Sequence, residues 1–159
     1  MRISLNLLFV LLGLLVSACQ PDSLDLEAEK EALLAIHQRV LQAHLNGDVD
    51  DWMKLEANEY ISANRGTISY PSMQQRRQMR EGYLGATTFS SYRDLTAPVV
   101  TISDDGSLGW LIAEVEAIGI QESPSGQADS IHAIWAWIEL YKKGAEGWEM
   151  VGNVSNSRP

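Results

Sequence analysis

From Tyr92 onward the chain is punctuated by three clusters of turn formers: Asp104-Asp105-Gly106-Ser107, Ser123-Pro124-Ser125-Gly126 and Lys143-Gly144-Ala145-Glu146-Gly147. Between them lie 92–102, 108–121, 129–142 and 148–155, all rich in β-branched and aromatic residues. Strands joined by turns this short must run antiparallel, so the pattern predicts a four-stranded antiparallel meander. Within 108–121, Leu111, Ala113, Val115 and Ala117 alternate with Trp110, Ile112, Glu114 and Glu116. The small apolar set belongs beneath helices and the other set on the outer face. The strand 129–142 carries Trp135 and Trp137 on one side and Ile134, Ala136 and Ile138 on the other, so it must be covered on both.

The segment before the meander has helical period. Leu26, Leu33, Ile36, Val40 and Ala43 form one stripe, ended by Asn46-Gly47, a C-cap pair. His37 and His44 are read as surface or boundary residues of this helix: seven residues apart, they stand ~10.5 Å from each other, too far to share a metal. Asp48 then caps a second helix with Val49, Trp52, Met53 and Leu55 as its apolar face. Asp48, Asp50 and Asp51 are cap and first-turn acids and lack the glycine and distant glutamate of a calcium loop. Tyr60–Ala63 and Thr67–Tyr70 flank Asn64-Arg65-Gly66 as a short hairpin. Ser72 and Gln75 make a capping box for a third helix over 73–84, with Met73, Met79, Tyr83 and Leu84 buried and Arg76, Arg77 and Arg80 on a solvated face. The fold class is therefore α+β: three N-terminal helices on one face of a four-stranded antiparallel sheet plus a short hairpin.

The extreme N-terminus has a separate purpose. Arg2, the apolar run Leu7–Val16 and then Ser17-Ala18-Cys19 have the layout of an export signal, and the run falls short of the roughly 20 apolar residues that cross a bilayer. Val16-Ser17-Ala18-Cys19 resembles a bacterial lipobox. That resemblance implies a signal peptide over 1–18, lipidation of Cys19, a tether over 19–25 and a membrane partner reached through the lipid. Gln20 after the cysteine further implies the cell envelope, at the periplasmic face of the outer membrane. Cys19 is the single cysteine of the chain, which leaves the domain no disulfide and no thiolate catalyst. The formal net charge of −9 disfavours nucleic acid as a partner, since phosphate binding needs a basic face.

The helix pair broken at Asn46-Gly47-Asp48-Val49-Asp50-Asp51-Trp52, the hairpin, the capped third helix and the strand ending Tyr141-Lys142-Lys143-Gly144 before Gly147-Trp148-Glu149-Met150-Val151 resemble the nuclear transport factor 2-like superfamily, SnoaL-like branch, over residues 26–157. The resemblance implies a cone-shaped roll, a curved sheet wrapped round the helices, with a pocket at its open end and a homodimer through the sheet's outer face.

Two chemistries are compatible with these residues. Glu116 and His132 face each other if positions on the two central strands sum to 248, which makes a carboxylate–imidazole pair; the more economical reading leaves Glu114 and Glu116 on the outer face. On the closing strand, alternation from Trp148 points Met150, Gly152, Val154 and Asn156 inward, a set with one polar member and thus poor in acid–base groups. The leading expectation is an envelope-anchored domain that binds a small, mostly apolar molecule or a protein partner without catalysis. Trp52, Tyr60, Tyr83 and Trp135 are its candidate ligand-binding residues, and it needs no cofactor and no metal. The alternative is a SnoaL-like enzyme of isomerase, cyclase or dehydratase type, moving a proton with Glu116 or His132 as base and Tyr60 as hydrogen-bond donor. A third is a structural dimer whose pocket is filled by side chains.

Overall fold

The computed structural model describes residues 24–123 and 125–158. Cys19, the signal segment and all but the end of the tether lie outside the described residues. Helix α1 spans Leu26–Asn46; the Asp25 carboxylate accepts from the backbone N–H of Glu27 and Ala28, and Gly47, at φ 66°, closes it in the left-handed conformation glycine adopts without strain. The short α2 (Val49–Met53) is capped by Asp48, and α3 (Met73–Gly85) by a complete Ser72–Gln75 capping box. Among the described residues no helix is long and apolar enough to cross a membrane.

The strands are β1 (Glu56–Asn64), β2 (Thr67–Ser69), β3 (Thr87–Asp94), β4 (Val99–Ile102), β5 (Leu108–Glu122), β6 (Ala128–Gly144) and β7 (Gly147–Arg158). They form one seven-stranded curved sheet in the order β2-β1-β7-β6-β5-β3, with β4 also on β5. The α+β class agrees with the sequence reading, but the strand count and connectivity do not. The expected strand 92–102 is two strands: β3 pairs with Val115–Gln121 and β4 with Gly109–Ile112 of β5. Between them lies Pro98, which has no N–H to give a ladder. The hairpin is not a satellite either, because β1 runs parallel to β7 and merges it with the meander. Gly152 permits that junction: a Cβ there would stand 2.5 Å from the Ile61 carbonyl oxygen.

Between β5 and β6 the register pairs Glu116 with Ile134 and Ile118 with His132, two residues from the expected pairing. A shift of two keeps every side chain on its face, so Leu111, Ala113, Val115 and Ala117 are buried under α1 while Trp110 and Ile112 are exposed. In β7 the consequence is larger. Leu140 pairs with Gly152 but Tyr141 with Met150, leaving Val151 as an extra residue. This bulge reverses the alternation, so Met150, Asn153 and Ser155 face inward in place of the expected Met150, Gly152, Val154 and Asn156.

Candidate functional site

The inner face of the sheet, α1 and α3 enclose a cavity of about 280 Å³. Val40 and His44 of α1, Trp52 of α2, Arg76, Met79, Arg80 and Tyr83 of α3, and Tyr92 of β3 line it on one side. Tyr60, Ser62 and Asn64 of β1, Trp135, Trp137 and Glu139 of β6, and Met150, Asn153 and Ser155 of β7 line the other. The exposed members, Asn64, Ser69 and Met79, mark its mouth. The candidate ligand-binding residues Trp52, Tyr60, Tyr83 and Trp135 all lie on this wall. Glu116 and His132 do not. They sit on the outer face, where His132 Nε2 is 3.0 Å from Glu116 Oε1 and Arg93 Nη2 is 2.7 Å from Oε2. The pair therefore forms, diagonally across the strands, but on the side of the sheet that never meets the cavity. It is an ion-pair cluster around Glu116, whose carboxyl is held below its usual range by His132 first and Arg93 second.

Two buried polar groups stand in or behind the cavity; sequence reasoning put His37, Arg76 and Arg80 at the surface and did not single out Glu139, Asp94 or Glu56. The first is built on Glu139. Trp137 Nε1 donates to Oε1 at 2.8 Å and the Tyr141 hydroxyl to Oε2 at 2.8 Å. His37 Nδ1 lies 3.1 and 3.2 Å from the two oxygens, and its Nε2 is 2.9 Å from Asp94 Oδ1. His37 is fully buried, not a surface residue. Burial alone depresses its basicity, but the hydrogen bonds and charges of Glu139 and Asp94 outweigh it and the pKa is raised. The second group is Glu56 with Arg76 and Arg80. Arg76 Nε donates to Glu56 Oε2 at 2.9 Å, and Arg80 Nη2 pairs with Oε1. Arg76 and Glu56 are buried and the Arg80 side chain is 11% exposed, so of the three arginines read as solvated Arg76 and Arg80 are internal and Arg77, paired with Asp50, is at the surface, while Met79, expected inside, is 63% exposed.

His44 is the other misassigned histidine. It is buried in an aromatic stack, with ring centroids 4.1 Å from Trp52 and 4.2 Å from Tyr92. Its Nδ1 lies 2.7 Å from the Val40 carbonyl, which fixes the proton there and leaves Nε2 an acceptor. Burial pushes its pKa down to about 4. Burial likewise raises the Tyr83 phenol to about 12 and lifts that of Tyr60 further. The Tyr60 hydroxyl is 3.7 Å from Met150 Sδ.

The signals for these groups lay in spacing. Leu33, His37, Val40 and His44 share one stripe of α1, and Met73, Arg76, Arg80 and Tyr83 share one of α3. Glu139 alternates in step with Trp135, Trp137 and Tyr141. Polar type outvoted periodicity in reading the histidines and arginines as exposed, and Glu139 was not singled out. Among the described residues no cluster of three or more His, Cys, Asp or Glu is arranged to hold a metal.

A helix-backed sheet curled around a cavity of this construction has many structural counterparts. A protein of the nuclear transport factor 2-like superfamily from Salmonella enterica superposes with a TM-score of 0.68 at 14% identity, over 84% of this chain and 93% of its own. A ketosteroid isomerase-like protein from Erwinia carotovora superposes with a TM-score of 0.65 at 12% identity, over 82% and 97%. The fold is that of the nuclear transport factor 2-like proteins. A further member of this fold, from Cytophaga hutchinsonii, superposes with a TM-score of 0.63 at 12% identity, over 80% and 97%. No protein-family model matches this chain, and no curated protein matches it by sequence. The likeness of the nuclear transport factor 2-like proteins to this chain is thus one of fold, and the cavity has to be read from its own residues.

Proposed function

We propose that this chain is an envelope-anchored lipoprotein, attached through Cys19, whose domain binds a small, mostly apolar molecule in its cavity without catalysis. One observation carries the binding reading: the cavity wall is dominated by the rings of Trp52, Tyr60, Tyr83, Tyr92, Trp135 and Trp137, large apolar surfaces with polar edges that orient a ligand. A general base must present a free lone pair at a matched pKa. Glu139 instead has both oxygens engaged by Trp137, Tyr141 and His37, and the imidazole of His44 is poorly basic. The test is a fluorescence titration with phenylbutanol. Saturable quenching that Trp135→Ala weakens is expected, and an unsaturable response overturns the reading.

The outer face of the sheet supports a homodimer. Ile68, Ala63, Val154, Ile138, Ile112 and Val99 stand in one cross-strand row, and Ile68, Val154, Ile112 and Val99 are each exposed. A second copy of this chain is the occupant that suits a patch so continuous and so uncharged.

A second reading has a specific observation in its favour. Glu139 lines the cavity and is linked through His37 to the partly exposed Asp94 at the end of β3, which is the layout of a proton path from the surface to a bound carbonyl compound. On that reading the enzyme would be of the SnoaL-like type, with Glu139 and not Glu116 or His132 at its centre. Solvent-deuterium exchange into a small aromatic ketone, abolished by Glu139→Gln, would establish it.

A further inference from the structure

The charged groups beside α3 are unevenly matched. Among the described residues the ion pairs of Arg76 and Arg80 both run to Glu56, so two guanidinium groups share one carboxylate. Arg76 is otherwise saturated: its remaining N–H groups reach the carbonyls of Ala57, Asn58 and Pro71 and the Met73 sulfur. Arg80 is not. Its Nε is buried with no hydrogen-bond partner among the described residues, and its Cζ lies 4.0 Å from the centroid of the Trp52 ring. A buried donor without an acceptor is uncommon, the more so on a charged group. Burial lowers the pKa of Arg80 only to about 10, so the group is cationic at neutral pH. The acid of the cavity wall, Glu139, is engaged by His37, Trp137 and Tyr141. Around Glu56 two guanidinium groups thus meet one carboxylate, a local excess of positive charge, and an unpartnered donor lies on the same Arg80, beside the indole of Trp52.

We propose that the ligand of this cavity carries a carboxylate, docked against Arg80, with its apolar body lying between Trp52, Tyr83 and Trp135. This rests on the reading of the cavity as a ligand site and adds the chemical class of the ligand. A monoanion answers the local excess at Arg76, Arg80 and Glu56, whereas a phosphate dianion adds more negative charge than that cluster lacks and an amine meets like charge there. The planar guanidinium fork suits a carboxylate. At about 280 Å³ the cavity is smaller than the roughly 300–1,000 Å³ of pockets for drug-sized molecules, which points to a ligand of one ring or a short chain.

The test uses the full chain in phosphatidylcholine nanodiscs, with empty discs as blank, and follows tryptophan fluorescence on titration with phenylbutyrate, phenylbutanol and phenylbutylamine. The three differ only in the polar end. The expected result is a carboxylate at least tenfold tighter than the alcohol, an amine weaker than both, and a carboxylate advantage lost in Arg80→Met. If alcohol and carboxylate bind equally, the cavity binds ligands but the carboxylate inference fails. If none of the three binds, the ligand-site reading fails with it. A carboxylate preference that survives in Arg80→Met removes Arg80 as its cause. Should Arg80→Met not fold, the three affinities of the unaltered chain still decide the inference, and Arg80→Lys, which keeps the charge and loses the fork, should retain only part of the preference.

Discussion

His37 on α1 and Glu139 on β6 are 102 residues apart in sequence, and their side chains meet at 3.1 Å in the buried layer between helix and sheet. The contact ties α1 to a central strand and holds the Glu139 carboxylate at the cavity wall. Removing one partner of a buried charged pair typically costs about 3–5 kcal/mol, because the other charge is left without compensation. His37→Leu should therefore lower the unfolding free energy by about that amount in urea denaturation followed by circular dichroism. A loss under about 1 kcal/mol, the worth of an ordinary hydrogen bond, would show that Glu139 finds other partners.

Acid should weaken the fold through His44. Its folded pKa of about 4 lies below the ordinary 6.5, so the folded state favours the neutral ring. The stability this contributes is complete above pH 6.5 and is lost as pH falls from there through 4. At 1.36 kcal/mol per pKa unit the full effect is about 3 kcal/mol. His37 acts in the opposite sense: its raised pKa contributes stability below 6.5 that fades as pH rises through the folded value. The difference between the unaltered chain and His44→Phe, measured by denaturant titration from neutral pH to pH 4, isolates the first effect. A difference that does not change with pH would contradict the buried neutral imidazole.

The outer cluster and the cavity should separate cleanly in binding. Glu116→Gln and His132→Ala lie across the sheet from the cavity and should change the affinity for phenylbutanol by less than about 1.5 kcal/mol, the scale of one hydrogen bond. Trp135→Ala removes a wall of the cavity and should cost about 3 kcal/mol through lost burial. Isothermal titration of the three variants checks the order, and the reverse order would place the site on the outer face.

The exposed row of apolar side chains on the sheet predicts self-association. Residues 22–159 should sediment as a dimer at micromolar concentration, and Ile112→Lys combined with Ile138→Lys should give a folded monomer, since charges buried at an interface are strongly disfavoured. A monomeric unaltered protein would leave that face for another partner.

Lipidation is checked directly. Mass spectrometry of the mature protein should find Cys19 as the acylated N-terminus, and Cys19→Ser should accumulate the unprocessed precursor. Two acyl chains make a stable anchor at ~0.8 kcal/mol per buried CH₂. Cleavage elsewhere, without acyl mass, would refute the anchor.

What the sequence determined by itself is what depends on near neighbours. The caps at Asp25, Asp48 and Ser72, the left-handed Gly47 and the turns that separate β5, β6 and β7 are written in stretches of a few residues, because capping and turn geometry are local. The face assignment of β5 was legible for the same reason, since alternation survives a register shift of two. Tertiary structure decided the rest. The bulge at Val151 reversed the inward set of β7 and brought Asn153 and Ser155 into the cavity, and its position depends on pairing with β6 and β1 together. The burial of His37, Arg76, Arg80 and Glu139 was decided there too. Such groups leave water only when a partner distant in sequence supplies the compensating charge or hydrogen bond, and Glu56 for the arginines and Asp94 for the histidine are joined to them by the fold alone.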